Sequence, residues 1–306
     1  MKILVISSNL IGDTILSTCV IEHFVKIYPK SSFTFLIGPS AGQIYEHFDA
    51  KDKIYLIKKM RFNLHWLKMY SLIFNKKWDL VIDFRSSLIS YFLIKRKKFI
   101  FKKKKSLNHL DQLKESFKLQ NSSLKIYTNK FEEKEVNFNL DYNYRHIVIF
   151  PGGNWKPKIW PTNKYNILIK ALIHKYKDLK FIIVGSLEEK KNYFNDIKKN
   201  IPNDYFIDIM GKSLTLTSAY MKKSNLFIGN DSGLTHLSVA SNLTTICLFG
   251  PTNDKVYGHK NEKSFVIRTQ ETYEDFLNKS IDTSISHMLS IKPNQILNLI
   301  IKKHLL

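Results

Sequence analysis

Short β-branched runs that end in small polar residues and then give way to a helical period recur along this chain. That alternation leaves few folds open. Near the start, Ile3-Leu4-Val5-Ile6 runs into Ser7-Ser8-Asn9-Leu10-Ile11-Gly12-Asp13-Thr14, and apolar residues return at Ile15, Leu16, Cys19, Val20 and Phe24 with spacings of three and four. Far along the chain, Phe227-Ile228-Gly229 runs into Asn230-Asp231-Ser232-Gly233, and Leu234-Thr235-His236-Leu237 begins a helical pattern. Asp231 and Ser232 are good helix caps, and Gly233 lets a ligand come close to the backbone. First-turn amides without intrahelical partners, reinforced by the helix dipole, favour an anion such as a phosphate. The same residues also suit an ordinary capped helix.

Strands are expected at 2–7, 33–37, 54–57, 79–83 and 98–101, with helices near 13–28, 40–48, 62–76, 86–95 and 108–119. The polar stretch 125–141 reads as a connection. The pattern restarts with strands near 147–150, 180–184, 205–209, 225–229 and 244–248. Helices near 162–176, 187–199, 214–222 and 233–241 separate them, and 271–304 reads as helical. Such alternation predicts parallel sheets covered by helices on both faces, with ligands at the carboxyl ends of the strands. With 306 residues the chain suffices for two such domains. We expect an N-terminal domain over 1–143 and a C-terminal domain over 144–289. A final helix over 290–306 is free to cross back onto the first. The two polar loops would then face one another across a cleft.

The formal net charge of +22 attracts polyanions, whether nucleic acid, anionic lipid headgroups or a phosphorylated glycolipid. Part of it reflects a general abundance of Lys, Asn and Ile. The densest run is Lys95-Arg96-Lys97-Lys98-Phe99-Ile100-Phe101-Lys102-Lys103-Lys104-Lys105, preceded by Tyr91-Phe92-Leu93-Ile94. It suits a membrane-surface or headgroup-binding element, or a solvated loop. Aromatics there could stack on bases, but no nucleic-acid motif accompanies them, so no specific nucleic-acid partner is expected. Cys19 and Cys247, both in apolar surroundings and without a spacing motif, read as buried thiols of a reducing compartment. No secretory signal pattern opens the chain, and no apolar run reaches the ~20 residues of a membrane span. The expected location is cytoplasmic, peripheral at the inner face of the plasma membrane.

Three loops are candidates for chemistry. Pro151-Gly152-Gly153-Asn154-Trp155-Lys156-Pro157-Lys158-Ile159-Trp160-Pro161 follows a strand and offers paired glycines with two lysines, whose cationic donors suit phosphate oxygens. Asn230 to His236 offers amide donors and the carboxylate of Asp231. Gly250-Pro251-Thr252 closes the next strand. Together they suit a nucleotide diphosphate. There is no G-x-G-x-x-G or G-x-x-x-x-G-K-[ST] fingerprint and no convincing acidic pair for a metal.

Ser8 to Leu16, Pro151-Gly152-Gly153 with Lys158-Ile159-Trp160-Pro161, Gly229 to Leu237 and Leu248-Phe249-Gly250-Pro251-Thr252 together resemble the heptosyltransferase family, glycosyltransferase family 9. The motifs stand in the family's order over nearly the whole chain. The resemblance implies the α/β GT-B fold, two Rossmann-like doubly wound domains facing a central cleft. It implies an inverting, metal-independent transferase without a cofactor. The sugar, heptose in the first place, moves from a nucleotide-sugar donor such as ADP-heptose to a lipopolysaccharide core or related phosphorylated glycolipid. Carried onto this sequence, Asp13 matches the general base that takes the proton of the acceptor hydroxyl, with a helix N-cap as its plain alternative. Lys158 matches the group that offsets charge on the departing diphosphate, with a solvated lysine as alternative. Donor contacts are implied for Gly152, Gly153, Lys156, Asn230, Asp231, Ser232, Gly233, Leu234, Gly250, Pro251 and Thr252. His236 is implied as a phosphate partner or a structural residue.

Acceptor contacts are expected from Asn9, Gly12 and Thr14, and from Lys95, Arg96, Lys97 and Lys98. Two departures stand out. Ile159 occupies a position where arginine is common, and Asn253 comes between Thr252 and Asp254. A non-catalytic polyanion binder on the same scaffold, and a sugar-nucleotide epimerase or hydrolase, are the competing readings.

Overall fold

A computed structural model of the chain describes residues 1–104, 107–120 and 123–306. Two compact units divide at Tyr127 and Thr128. In the first, five strands lie wholly parallel in the order β3-β2-β1-β4-β5: β1 (Lys2–Ile6), β2 (Ser32–Ile37), β3 (Lys51–Leu56), β4 (Trp78–Asp83) and β5 (Lys95–Ile100). The helices are α1 (Ile11–Ile27), α2 (Pro39–Gly42), α3 (His65–Ser71) and α4 (His109–Phe117). Ile3, Leu4, Val5 and Ile6 are all buried, so both faces of β1 are covered, as a parallel sheet requires. Leu4 and Ile6 share one face with Leu36 and Val81, packed against Met69, Ile73 and Trp78. The strand order reverses between β1 and β4. Such a switch point opens a crevice at the carboxyl ends, where the loop leading to Asp13 begins.

The second unit holds six parallel strands in the order β11-β10-β9-β6-β7-β8. They are β6 (Arg145–Phe150), β7 (Leu179–Ile183), β8 (Phe206–Asp208), β9 (Leu226–Asn230), β10 (Thr244–Phe249) and β11 (Ser264–Arg268). Its helices are α5 (Lys130–Asn139), α6 (Thr162–Lys175), α7 (Leu187–Lys198), α8 (Leu214–Lys222), α9 (Gly233–Ala240), α10 (Asp254–Tyr257), α11 (Tyr273–Leu277) and α12 (Pro293–Lys302). Its order reverses between β6 and β9, so the loops after these two strands share the switch point. Each unit is thus doubly wound and Rossmann-like, the fold class expected.

The structure departs from the sequence reading in four places. The stretch 125–141 carries helix α5. Asn129 and Glu132 form a capping box at its start, and the Glu132 carboxylate accepts from the Thr215 hydroxyl at the start of α8. Only Val136 of α5 is fully buried, so periodicity was faint. The helix moves the boundary from 143/144 back to 127/128. The helix expected at 86–95 is a single turn over Leu88–Tyr91, and the basic residues 95–98 open β5. Strand β11 went unread because its side chains are only partly covered. Within 271–304 only α11 and α12 are helical. Ile296 and Ile300 of α12 are wholly buried in the second core beside α6. At about 1.5–3 kcal/mol each, they spend on their own unit the apolar face that the sequence offered to the first.

Candidate functional site

Asp13 stands in the first turn of α1. The cap position is Leu10, extended and with no side-chain cap, so Asp13 is not the helix N-cap. A carboxylate among unpaired first-turn amides is favoured by the dipole. Its Oδ1 lies 3.2 Å from the Lys103 ammonium, and both side chains retain solvent access. Lys103 is delivered by the loop after β5. Gln112 pins that loop: its Oε1 accepts from the Lys104 amide at 2.6 Å, and its Nε2 donates to Lys104 and Leu107 carbonyls at 2.9 and 2.7 Å. His109 lies under the same loop against Phe101, and its buried Nδ1 has no hydrogen-bond partner among the described residues. Burial pushes the His109 pKa from 6.5 down to about 4; Asp13 pulls it up and Lys103 pushes it further down. The loop after β4 is fastened by Asp83, whose carboxylate accepts from the amides of Arg85 and Ser87, both at 2.8 Å.

The expected acceptor residues fare differently. Asn9 is exposed and Gly12 partly so. Thr14 is wholly buried, and its hydroxyl turns to the Ser8 carbonyl and the Ser7 hydroxyl, so it shapes the loop from within. Lys95, Arg96, Lys97 and Lys98 belong to an edge strand and not to a loop, with Arg96, Lys97 and Lys98 exposed. The Lys95 ammonium donates to the Tyr91 and Leu93 carbonyls, Arg96 faces Asp79, and Lys98 lies over the Tyr91 ring. Charge on an edge strand blocks pairing with another chain, which accounts for the run without a ligand. Lys105 lies outside the described residues.

In the second unit, Asn230 at the end of β9 organises the loop after β6. Its Oδ1 accepts from the Trp160 amide at 3.0 Å and the Tyr165 hydroxyl at 3.2 Å; its Nδ2 donates to Pro151 and Gly152 carbonyls at 3.2 and 2.9 Å. The side-chain amide is engaged from within on both its oxygen and its nitrogen and the residue is wholly buried, so Asn230 clamps the loop. Gly152 is needed because a Cβ there would strike the Glu189 carboxylate. Glu189 accepts from the Gly153 amide at 2.8 Å and closes a capping box with Ser186. The amide that the glycines offered to a ligand is therefore taken by the protein. Lys156 stays in solvent near the Tyr193 ring, whereas Lys158 turns inward. Ile159 is buried and can supply no polar function.

The Lys158 ammonium lies 3.9 Å from Asp231 Oδ2, with both side chains largely covered. Burial pushes the Asp231 pKa up, countered first by Lys158 and then by Thr252 and His259. The Thr252 hydroxyl, buried beside this carboxylate, meets no partner with hydrogen-bond geometry among the described residues. Ser232 caps α9, accepting from the Leu234 amide, and Gly233 and Leu234 form its first turn. His236 faces inward, its Nδ1 2.8 Å from Nε2 of His259. Gly250 packs on Met288, where a Cβ would come within 2.7 Å, and its carbonyl accepts from Arg268, which also pairs with Asp254. Pro251 is buried in the same loop. Lys158, Asp231, Thr252 and the α9 N-terminus thus gather at the β6/β9 switch point, an arrangement that can receive an anion and its charge.

Sequence reasoning missed Lys103, His109, Glu189, His259 and Arg268 as parts of these clusters. Glu189 alone carried a local signal, the Ser186-to-Glu189 capping spacing. Among the described residues no group of three or more His, Cys, Asp or Glu side chains gathers as metal ligands would. No helix among them is long and apolar enough to cross a membrane.

The family model for glycosyltransferase family 9 (heptosyltransferase) matches residues 85–284. Lipopolysaccharide heptosyltransferase 1 of Campylobacter coli is 26% identical across an alignment covering 98% of each chain. A glycosyltransferase family 9 structure from Veillonella parvula superposes with a TM-score of 0.76 at 20% identity, covering 99% of this chain and 96% of that one. E. coli heptosyltransferase WaaC, solved with ADP, gives 0.76 at 15% identity, covering 99% and 100%. Two doubly wound units in succession are the GT-B fold of these enzymes. The matched segment takes in the loop after β4, the Lys103 loop and every strand-end loop of the second unit, and on that ground the chain belongs to glycosyltransferase family 9, the heptosyltransferase family.

Proposed function

We propose that this glycosyltransferase moves a heptose from ADP-heptose to the sugar core of a lipopolysaccharide precursor or a related phosphorylated glycolipid, with inversion at the anomeric carbon. The names of its relatives, a lipopolysaccharide heptosyltransferase and a heptosyltransferase solved with ADP, support this donor and acceptor. In the proposed step the acceptor oxygen forms the new bond to the anomeric carbon from the face opposite the diphosphate. Asp13 takes the hydroxyl proton, and the bond from anomeric carbon to phosphate oxygen breaks. The nucleoside diphosphate leaves with the electron pair. Lys158 and the first-turn amides of α9 offset the added charge, which lets the reaction proceed without a divalent ion or other cofactor. Asn9 and Gly12 frame the acceptor beside Asp13. Acceptors of this kind place the enzyme at the cytoplasmic face of the inner membrane.

The observation that carries this reading is the release of Asp13 from helix capping. It stands at the β1/β4 switch point with its carboxylate accessible and paired with the mobile side chain of Lys103. The test incubates the protein with ADP-heptose and heptose-deficient lipopolysaccharide in excess EDTA and follows product by mass spectrometry. We expect a gain of one heptose per acceptor and unchanged turnover with EDTA. A folded Asp13→Asn variant that still transfers at the wild-type rate would remove Asp13 from the mechanism. Release of free heptose or an epimerised nucleotide sugar, with no acceptor product, would favour the hydrolase or epimerase reading instead.

A further inference from the structure

The segment that leaves β3 and enters α3 presents a run of large apolar side chains to solvent. Phe62 is 92% exposed and Leu67 68%, with Met60 and Leu64 exposed beside them. Lys59, Arg61 and Lys68, all exposed, interleave with these four. Phe62 adopts a left-handed backbone, with φ of 52°, which bulky residues seldom do. His65 and Met69 form the buried face of α3, so the outward side chains are surplus to the core. We propose that this apolar and basic prow seats the first unit on an anionic lipid bilayer, with Phe62 and Leu67 entering the headgroup boundary. The inference deepens the glycolipid reading of the acceptor and rests on it for its biological purpose.

A bilayer is the occupant that fits both halves of the pattern. Aliphatic Met60, Leu64 and Leu67 gain nothing from a nucleic acid. A second copy of this chain, itself +22, is repelled. An anionic leaflet attracts the cations at a distance and then takes the apolar tips, while lysine stems lie along the boundary. Placement agrees as well. In a parallel sheet the loops after β1, β3, β4 and β5 share one rim. The prow follows β3, two strands or about 10 Å from β1, so docking brings the Asp13 rim to the lipid surface.

The test is co-sedimentation of the full chain with vesicles, without donor or acceptor. We expect binding to phosphatidylethanolamine vesicles containing phosphatidylglycerol, weakened by salt, and little binding to pure phosphatidylcholine. Phe62→Asn suits the left-handed backbone and keeps the fold; it and Leu67→Ser should each weaken partitioning by about tenfold, the loss expected for one large apolar side chain. A Phe62→Trp variant should show blue-shifted emission on anionic vesicles. Lys97→Glu on β5 serves as a charge control with a smaller effect. Wild-type binding by both prow variants, or unshifted emission, overturns the inference. Turnover on a water-soluble core oligosaccharide should be unaffected by Phe62→Asn, so failure of the prow and failure of the transferase reading appear in different measurements.

Discussion

The ammonium of Lys103 stands 3.2 Å from the carboxylate of Asp13, although ninety residues separate them in the chain. β5 and Gln112 hold the lysine there, and helix α1 presents the aspartate. In the proposed transfer an acceptor anion would compete with Asp13 for that cation and so leave the carboxylate to take a proton.

Replacing Asp13 by asparagine should lower kcat for transfer by about 10²–10⁴-fold, the usual worth of a general base. Binding of ADP, followed by calorimetry, should be unchanged, because the phosphate contacts proposed above lie in the second unit. Lys103→Met should change stability by no more than about 1 kcal/mol, since the pair keeps solvent access. Its effect should fall on the KM for a phosphorylated acceptor. An unaltered acceptor KM would assign Lys103 to packing alone.

Asn230 offers a separate test of how the donor loop is held. Asn230→Ala strands the Trp160 amide and the Pro151 and Gly152 carbonyls, while the Tyr165 hydroxyl keeps its bond to the Phe150 carbonyl at 2.9 Å. At about 1 kcal/mol or more for each stranded group, a destabilisation of about 3 kcal/mol or more is expected in urea unfolding. A midpoint equal to wild type would show that the loop is fastened elsewhere.

The two clusters differ in how much of them was legible beforehand. Elements read easily where burial is two-sided, as in β1, β6 and β9, because apolar runs have no other use. The switch-point loops also read, because Gly12, Asp13 and the Asp231-Ser232-Gly233 turn advertise their chemistry locally. β5 and β11 are edge strands, with polar or half-covered side chains that blur a period of two. Helix α5 is held by Glu132 and its capping box more than by apolar contacts, so its period was faint. Lys103 is indistinguishable from its lysine neighbours in sequence; only the path of the loop singles it out. His109 and His259 come near Asp13 and Asp231 only through the tertiary fold, and no spacing announces them.

The Lys158–Asp231 pair yields a third prediction. Both side chains are mostly removed from water, so taking away one partner strands the other. Asp231→Asn or Lys158→Met should each cost about 3 kcal/mol in a chemical unfolding series. The double variant should cost less than the sum of the two. Lys158→Met should also lose most of the affinity for ADP, whereas Asp231→Asn should not, because it leaves the cation available to phosphate. Equal loss in both would mean that the carboxylate itself contacts the ligand.

Acid should unfold this protein through its buried histidines. Burial drives the His109 pKa from 6.5 to about 4. Burial, with His236 as the next cause, drives His259 from 6.5 to about 3. Each is therefore neutral in the fold across a range in which the unfolded chain binds a proton. Between 6.5 and the folded values the unfolded state holds more protons, so stability is complete above about pH 6.5 and declines as the pH falls. The loss approaches on the order of 3 kcal/mol for each histidine once its folded value is reached. At the 2.8 Å contact between His236 and His259, protonating both rings would set one N–H against another. Urea midpoints measured at pH 7.5 and pH 5 should differ clearly in the wild type. His109→Phe, which removes an unpartnered nitrogen beside Phe101, should shrink that difference; equal midpoints at both pH values in the wild type would refute the assignment.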